Sequence, residues 1–277
     1  MHEKIYFNGE LLTAKHAVLA AVSSAALYGK GIFTTVAIYN GKPFLWEKHW
    51  RRLRDNSAKL AIDLSKFSEG STKNALEAII EKNRVSIGRA RITFFDQNSS
   101  GVWHFESEQK TSLMITTADW RPVAENFRIE ISMNRISSLS KLAAIKSCNY
   151  LDNILAFEET KRRGYSEAIR LNERGEVAGA CMANIFWLKD GKLFTPSLKT
   201  GCLPGTTREF ILENIECEEV EEADATIHPT DAVFLTSAGL GVVVVEEIEG
   251  KKLSAIDHPI LHLLPQNRNT NIRENNS

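Results

Sequence analysis

Three Asn-Gly or Asp-Gly dipeptides lie between apolar runs in this chain: Asn8-Gly9 after Ile5-Tyr6-Phe7, Asn40-Gly41 after Phe33 to Tyr39, and Asp190-Gly191 after Asn184 to Leu188. Such a pair supplies two consecutive residues that tolerate positive φ, which is what a two-residue hairpin requires. Antiparallel sheet is therefore expected at three separate places, with returning strands at Glu10-Leu11-Leu12, Pro43-Phe44-Leu45 and Lys192 to Thr195. Further β-type runs are Arg89 to Phe95, Ser112 to Thr117, Phe127 to Met133, Glu167 to Leu171, Asp231 to Leu235 and Val242 to Glu247.

Helical spacing alternates with these runs. Trp50, Leu53, Ser57 and Leu60 share one face of a helix expected over about 46–62. Ser71 and Thr72 can cap a second, with Leu76, Ile79 and Ile80 inward. A third is expected over Asn149 to Arg163, stopped by Gly164. Pro204-Gly205-Thr206-Thr207 opens a fourth. This order implies an α+β fold in two domains, residues 1–118 and 123–265, with a boundary near Asp119-Trp120-Arg121-Pro122. Residues 266–277 are polar and Asn-rich and are expected to be disordered.

A chain of 277 residues can bury a substantial core. The formal net charge of −1 provides no field selecting nucleic acid or an anionic membrane. The longest apolar run, around Leu240 to Val245, is far too short to span a bilayer. Cys148, Cys181, Cys202 and Cys217 form no CxxC pair, so neither a zinc site nor a disulfide framework is indicated. With no apolar signal region at the N-terminus, the expectation is a reduced, cytoplasmic protein.

Four separated pieces carry chemistry. In Ala144-Ile145-Lys146-Ser147-Cys148-Asn149-Tyr150 a lysine sits among apolar neighbours at the entry to a helix. Most lysines are solvated, but one held in an apolar pocket has a lowered pKa and can form a Schiff base. In His49-Trp50-Arg51-Arg52-Leu53, Arg52 adjoins an inward leucine and could grip a phosphate with its fork, or be a salt-bridged surface residue. Leu203-Pro204-Gly205-Thr206-Thr207-Arg208 delivers two threonines to a helix N-terminus, which suits a phosphate and equally an ordinary capped helix. Thr236-Ser237-Ala238-Gly239 ends a strand with small hydroxyl residues, as a phosphate-binding turn or any tight turn would.

Taken together, and with Tyr28 to Phe33 and Ala183-Asn184-Ile185-Phe186, these pieces resemble the class IV aminotransferases, the fold-type IV pyridoxal 5'-phosphate enzymes. That family includes branched-chain and D-amino-acid aminotransferases and aminodeoxychorismate lyases. The resemblance implies a two-domain α+β architecture with pyridoxal 5'-phosphate between the domains, usually as a homodimer. It implies Lys146 as the Schiff-base lysine and proton shuttle, Arg52, Thr206, Thr207 and Ser237 as phosphate ligands, and Tyr150 near the cofactor's phenolic oxygen. The family usually places a Glu, partner of the pyridine nitrogen, five residues before the Asn of the Asn-Ile-Phe stretch. Here that position is Gly179. The usual Asp-Arg upstream reads Ser24-Ala25, and the Gly-Asp-Gly turn reads Gly29-Lys30-Gly31.

The resulting expectation is a transaminase acting on a small amino acid or amine and a keto acid. It is slowed by Gly179, and Gly179→Glu is expected to speed it. A lyase reading is favoured by Phe33-Thr34-Thr35 and Asn184-Ile185-Phe186-Trp187. A third reading, a cofactor-binding protein with little turnover, rests on Gly179. Arg91, Gln97 and His104 could meet a substrate carboxylate; the expectation is that they are strand-surface residues.

Overall fold

The computed structural model describes residues 1–98, 100–101, 104–105, 110–223, 227, 230–254 and 256–265; the tail expected at 266–277 lies outside the described residues. The chain divides into two units: Met1–Arg121 with Ile145–Tyr150, and Pro122–Ala144 with Leu151 onward. The segment Ile145–Tyr150, placed by the sequence within 123–265, thus packs with the first unit.

In the first unit the elements are β1 (Lys4–Phe7), β2 (Glu10–Thr13), α1 (Ser24–Tyr28), β3 (Gly31–Tyr39), β4 (Lys42–Pro43), α2 (Trp46–Lys59), α3 (Glu69–Lys82), β5 (Gly88–Asp96) and β6 (Thr111–Ala118). The strands form one antiparallel sheet in the order β2-β1-β6-β5-β3-β4. Asn8 and Asn40 adopt the positive φ that their hairpins require, as does Asp190 in the second unit. Leu53 of α2 and Leu76 and Ile79 of α3 pack with Val36, Ile92 and Ile115 of the sheet, all fully buried.

Two helix boundaries differ from the sequence reading. α2 ends at Lys59 because Ala61 turns to positive φ. α3 starts at Glu69, not after Ser71: the Ser68 hydroxyl accepts from Ser71 N, and the Ser71 hydroxyl accepts from Ser68 N, a closed capping box one turn earlier. α1 carries no apolar periodicity. It is made by its ends, Ser23 accepting from Ala26 N and Gly29 closing with φ 63°.

In the second unit follow β7 (Arg128–Ile131), α4 (Leu151–Arg162), β8 (Glu167–Leu171), β9 (Val177–Ala180), β10 (Asn184–Lys189), β11 (Lys192–Pro196), α5 (Thr206–Asn214), β12 (Glu218–Val220), β13 (Ala232–Ser237), β14 (Gly241–Val245), β15 (Glu247–Ile248) and β16 (Lys251–Lys252). They build two five-stranded sheets, β9-β8-β7-β15-β16 and β12-β11-β10-β13-β14. Ile129, Ile169 and Val177 of the first sheet cluster with Ile185, Trp187, Val233 and Leu235 of the second. The alternate residues Phe186, Leu188 and Phe234 face the other way, where Ile211 of α5 meets them. With both faces of the second sheet covered, its central strands read as continuous apolar runs. No described helix is long and apolar enough to cross a membrane.

Candidate active site

Lys146 is positioned by an added strand segment. Phe33 N donates to Lys146 O at 3.0 Å and Cys148 N donates to Gly31 O at 2.8 Å, so residues 146–148 run antiparallel along the start of β3. β4 pairs only with the far end of β3, at Ile38 and Tyr39, which leaves this edge open for the segment. The approach is close: a Cβ on Gly31 would stand 2.9 Å from Phe94 O and 3.0 Å from Cys148 Sγ, so glycine is required there.

The lysine side chain meets aromatic rings and cations. Nζ lies 4.6 Å from the Phe33 ring centroid and donates to Tyr150 Oη at 3.3 Å. The Tyr150 ring packs edge-on against Phe33 with centroids 5.2 Å apart. Desolvation, then the charges of Arg52 and Arg91, holds the ammonium group well below the usual lysine range. An amine so placed loses its proton nearer neutrality and becomes a nucleophile.

Arg52, on α2, donates from its terminal nitrogen to Thr34 Oγ1 at 2.7 Å, and the same oxygen is 2.7 Å from Nδ1 of His49. His49 and Arg52, three residues apart, share a helix face. Burial, then Arg52 and Lys146, pushes the imidazole well below its ordinary pKa, so it is neutral. Arg51 and Arg54, by contrast, are exposed. Arg91 is an exposed residue, as expected of the strand surface, yet its guanidinium lies 3.6 Å over the Phe33 ring and donates to Thr93. Gln97 donates to Ser112, and the His104 side chain lies outside the described residues.

The second unit assembles its own constellation. Asn184, first residue of β10, donates to Leu203 O at 2.8 Å and so ties the loop before α5 to the sheet. α5 begins at Thr206-Thr207 with Gly205 as N-cap, a residue that has no side chain to cap it. Its first N–H groups and its dipole favour an anion. Asn184 is the register partner of Thr236 on β13, the strand α5 packs against. The Thr236 hydroxyl is buried with no hydrogen-bond partner among the described residues, while the Ser237 hydroxyl accepts from Leu240 N. A buried hydroxyl left unpaired is costly unless a ligand satisfies it. Thr236 is thus the register partner of the asparagine that anchors the loop leading to Thr206 and Thr207, and Ser237 follows it in the chain.

Gly179 sits at a β-bulge. Arg170 pairs with Gly179 but Leu171 pairs with Val177, leaving Ala178 as the extra residue. Gly179 has φ 149°, which side-chain-bearing residues rarely adopt. Gly179→Glu would therefore strain the backbone as it added a carboxylate. Its cross-strand partner Arg170 is buried and bonded to Asn134 O and to Asp152. Glu176 is bonded to Arg174 and Asn172.

Sequence reasoning singled out Lys146, Arg52 and Tyr150, which the structure brings together in the first unit. It missed the roles of Thr34, His49 and Thr236. The only signal for these three was the small hydroxyl beside Phe33, the histidine three residues before Arg52, and the hydroxyl beside Ser237.

Comparison with known proteins gives one consistent picture. The family model Amino-transferase class IV matches residues 31–248. The chain is 30% identical over 258 residues to the aminodeoxychorismate lyase of Bacillus subtilis (strain 168), covering 88% of this chain and 86% of that protein. It is 29% identical over 262 residues to a putative branched-chain-amino-acid aminotransferase of Methanocaldococcus jannaschii, covering 91% and 90%. Among solved structures, the Escherichia coli branched-chain amino acid aminotransferase superposes with a TM-score of 0.86 at 26% identity, covering 94% of this chain and 92% of that one.

Proposed function

The chain belongs to the class IV aminotransferase family, and on that premise we propose that it is a pyridoxal 5'-phosphate enzyme moving an amino group between a small amino acid or amine and a keto acid. The observation that carries this reading is the desolvated amine of Lys146, bonded to Tyr150 and flanked by the charges of Arg52 and Arg91. The buried Thr236 hydroxyl, without a hydrogen-bond partner among the described residues and on the strand that α5 packs against, fits a phosphorylated cofactor independently. When bound, the cofactor supplies an electron sink.

Lys146 would hold the cofactor through its amine and would move a proton at the substrate carbon. Tyr150 steadies the lysine nitrogen. Arg52, Thr206, Thr207 and Ser237 are proposed as phosphate ligands. Gly179 is proposed to stand by the ring nitrogen, where it brings no carboxylate, and turnover is slow for that reason.

The 30% identity to a lyase over most of the chain supports a second reading, release of pyruvate and an aromatic amine from aminodeoxychorismate. One experiment separates the readings. Protein loaded with cofactor is given a panel of amino donors alone, and separately aminodeoxychorismate without a keto acid. Conversion of the cofactor to its aminated form marks the transaminase; pyruvate release marks the lyase. A yellow protein that does neither is a binder, and a protein that takes up no cofactor ends the proposal.

We further propose a homodimer. The support is an apolar stripe on α4, where Leu151, Ile154 and Leu155 are all exposed. None of the four cysteines forms a disulfide, which accords with a reducing cytoplasmic setting.

A further inference from the structure

An arginine that grips a ligand gives up rotamer freedom on binding unless something already holds it. In the first unit that holding contact is visible. Thr34 is fully buried on β3, and its hydroxyl oxygen accepts from Arg52 at 2.7 Å. The same oxygen lies 2.7 Å from His49 Nδ1. His49 is itself buried, and the charged groups acting on it, Arg52 and Lys146, are both cationic. A neutral imidazole carries one N–H, so one of its ring nitrogens is an acceptor. Arg52 donates to the threonine oxygen, and the threonine O–H is placed to donate to Nδ1 when that nitrogen is the acceptor.

We propose that Thr34, locked by His49, is a positioning residue that pre-sets Arg52 for the phosphate of the cofactor. This rests on the reading of Arg52 as a phosphate ligand. Thr34 is suited to the task because a buried β-branched side chain on a strand has little χ1 freedom. It offers Arg52 a fixed acceptor without a second negative charge. A carboxylate at this position would hold the arginine more firmly but would oppose the phosphate.

The test compares affinity for pyridoxal 5'-phosphate with affinity for pyridoxal, which lacks the phosphate, by absorbance titration of the full-length protein. Thr34→Val keeps the shape and removes the hydroxyl; Thr34→Ser restores it. Thr34→Val is expected to weaken pyridoxal 5'-phosphate binding roughly tenfold, the scale of one hydrogen bond to a charged group, and to leave pyridoxal binding unchanged. Thr34→Ser should bind like the wild type. In the double variant, Arg52→Ala with Thr34→Val, the loss should not exceed that of Arg52→Ala alone, because Thr34 acts through Arg52. Full additivity, an equal loss towards pyridoxal, or wild-type affinity in Thr34→Val would each overturn the proposal. If Arg52→Ala weakens binding and Thr34→Val does not, only this inference falls. If the wild type binds no pyridoxal 5'-phosphate, the functional reading falls with it.

Discussion

An ammonium group between two aromatic rings and under the influence of two guanidinium groups releases its proton at a lower pH than one in water. Lys146 is such a group, and an amine attacks only when deprotonated, so its depressed pKa extends the reactive range downward in pH. Arg91→Gln removes one of the charges responsible, so the Lys146 pKa rises and the pH midpoint for cofactor attachment shifts upward. A pH series of cofactor incorporation, trapped with borohydride, measures this; an unshifted midpoint would contradict the electrostatic account. Peptide mapping of the same samples should place the adduct on Lys146 and not on a neighbour such as Lys141. Arg52→Ala should weaken cofactor binding about tenfold to a hundredfold, as expected for charge-assisted hydrogen bonds. Arg51→Ala and Arg54→Ala, changes at exposed positions, should be near neutral in the same binding titration. Lys146, Arg52 and Tyr150 were legible in the sequence because each belongs to a short contiguous motif. Thr34 and Thr236 were not, because what singles them out lies in the fold: one hydroxyl meets an arginine from a helix, and the other is buried without a hydrogen-bond partner among the described residues.

At the scale of elements, the sequence was most legible where a turn has a strict stereochemical requirement. The Asn-Gly and Asp-Gly hairpins stand where their composition puts them. Caps were less legible, since Ser68, Ser71 and Thr72 are all competent N-caps and only the reciprocal bonding of Ser68 with Ser71 decides among them. Ser68→Ala should lower stability by about 1 kcal/mol, the usual worth of an N-cap, in urea or guanidinium unfolding. At the bulge in β9, Gly179→Ala should cost about 1–3 kcal/mol through backbone strain alone. Equilibrium unfolding checks this, and a stability equal to wild type would mean that the strand relaxes its φ.

For the whole molecule, the change of domain near residues 119–122 was legible, because Pro122 and its polar neighbours interrupt the strand pattern. The return of Ile145–Tyr150 to the first unit was not. Pairing with an open strand edge is non-local and leaves no periodicity in the segment that does it. The proposed dimer makes its own prediction. Leu155→Glu puts a charge into the exposed apolar stripe of α4 and should shift the protein from dimer to monomer in sedimentation at micromolar concentration, with the far-ultraviolet circular dichroism unchanged. A wild type that sediments as a monomer would remove the premise.

The open edge of β3 also bears on how the chain is made. Domains tend to fold as units as they leave the ribosome, the N-terminal one first. When the first unit has emerged through Arg121, the strand that completes its edge, and the lysine that strand carries, still lies within the ribosome. Until Cys148 emerges, the backbone groups of Gly31 and Phe33 that later pair with it stand ready for any extended segment. A chain that folds in this order presents a first unit with an open edge, and the segment that carries Lys146 is also the one that closes it.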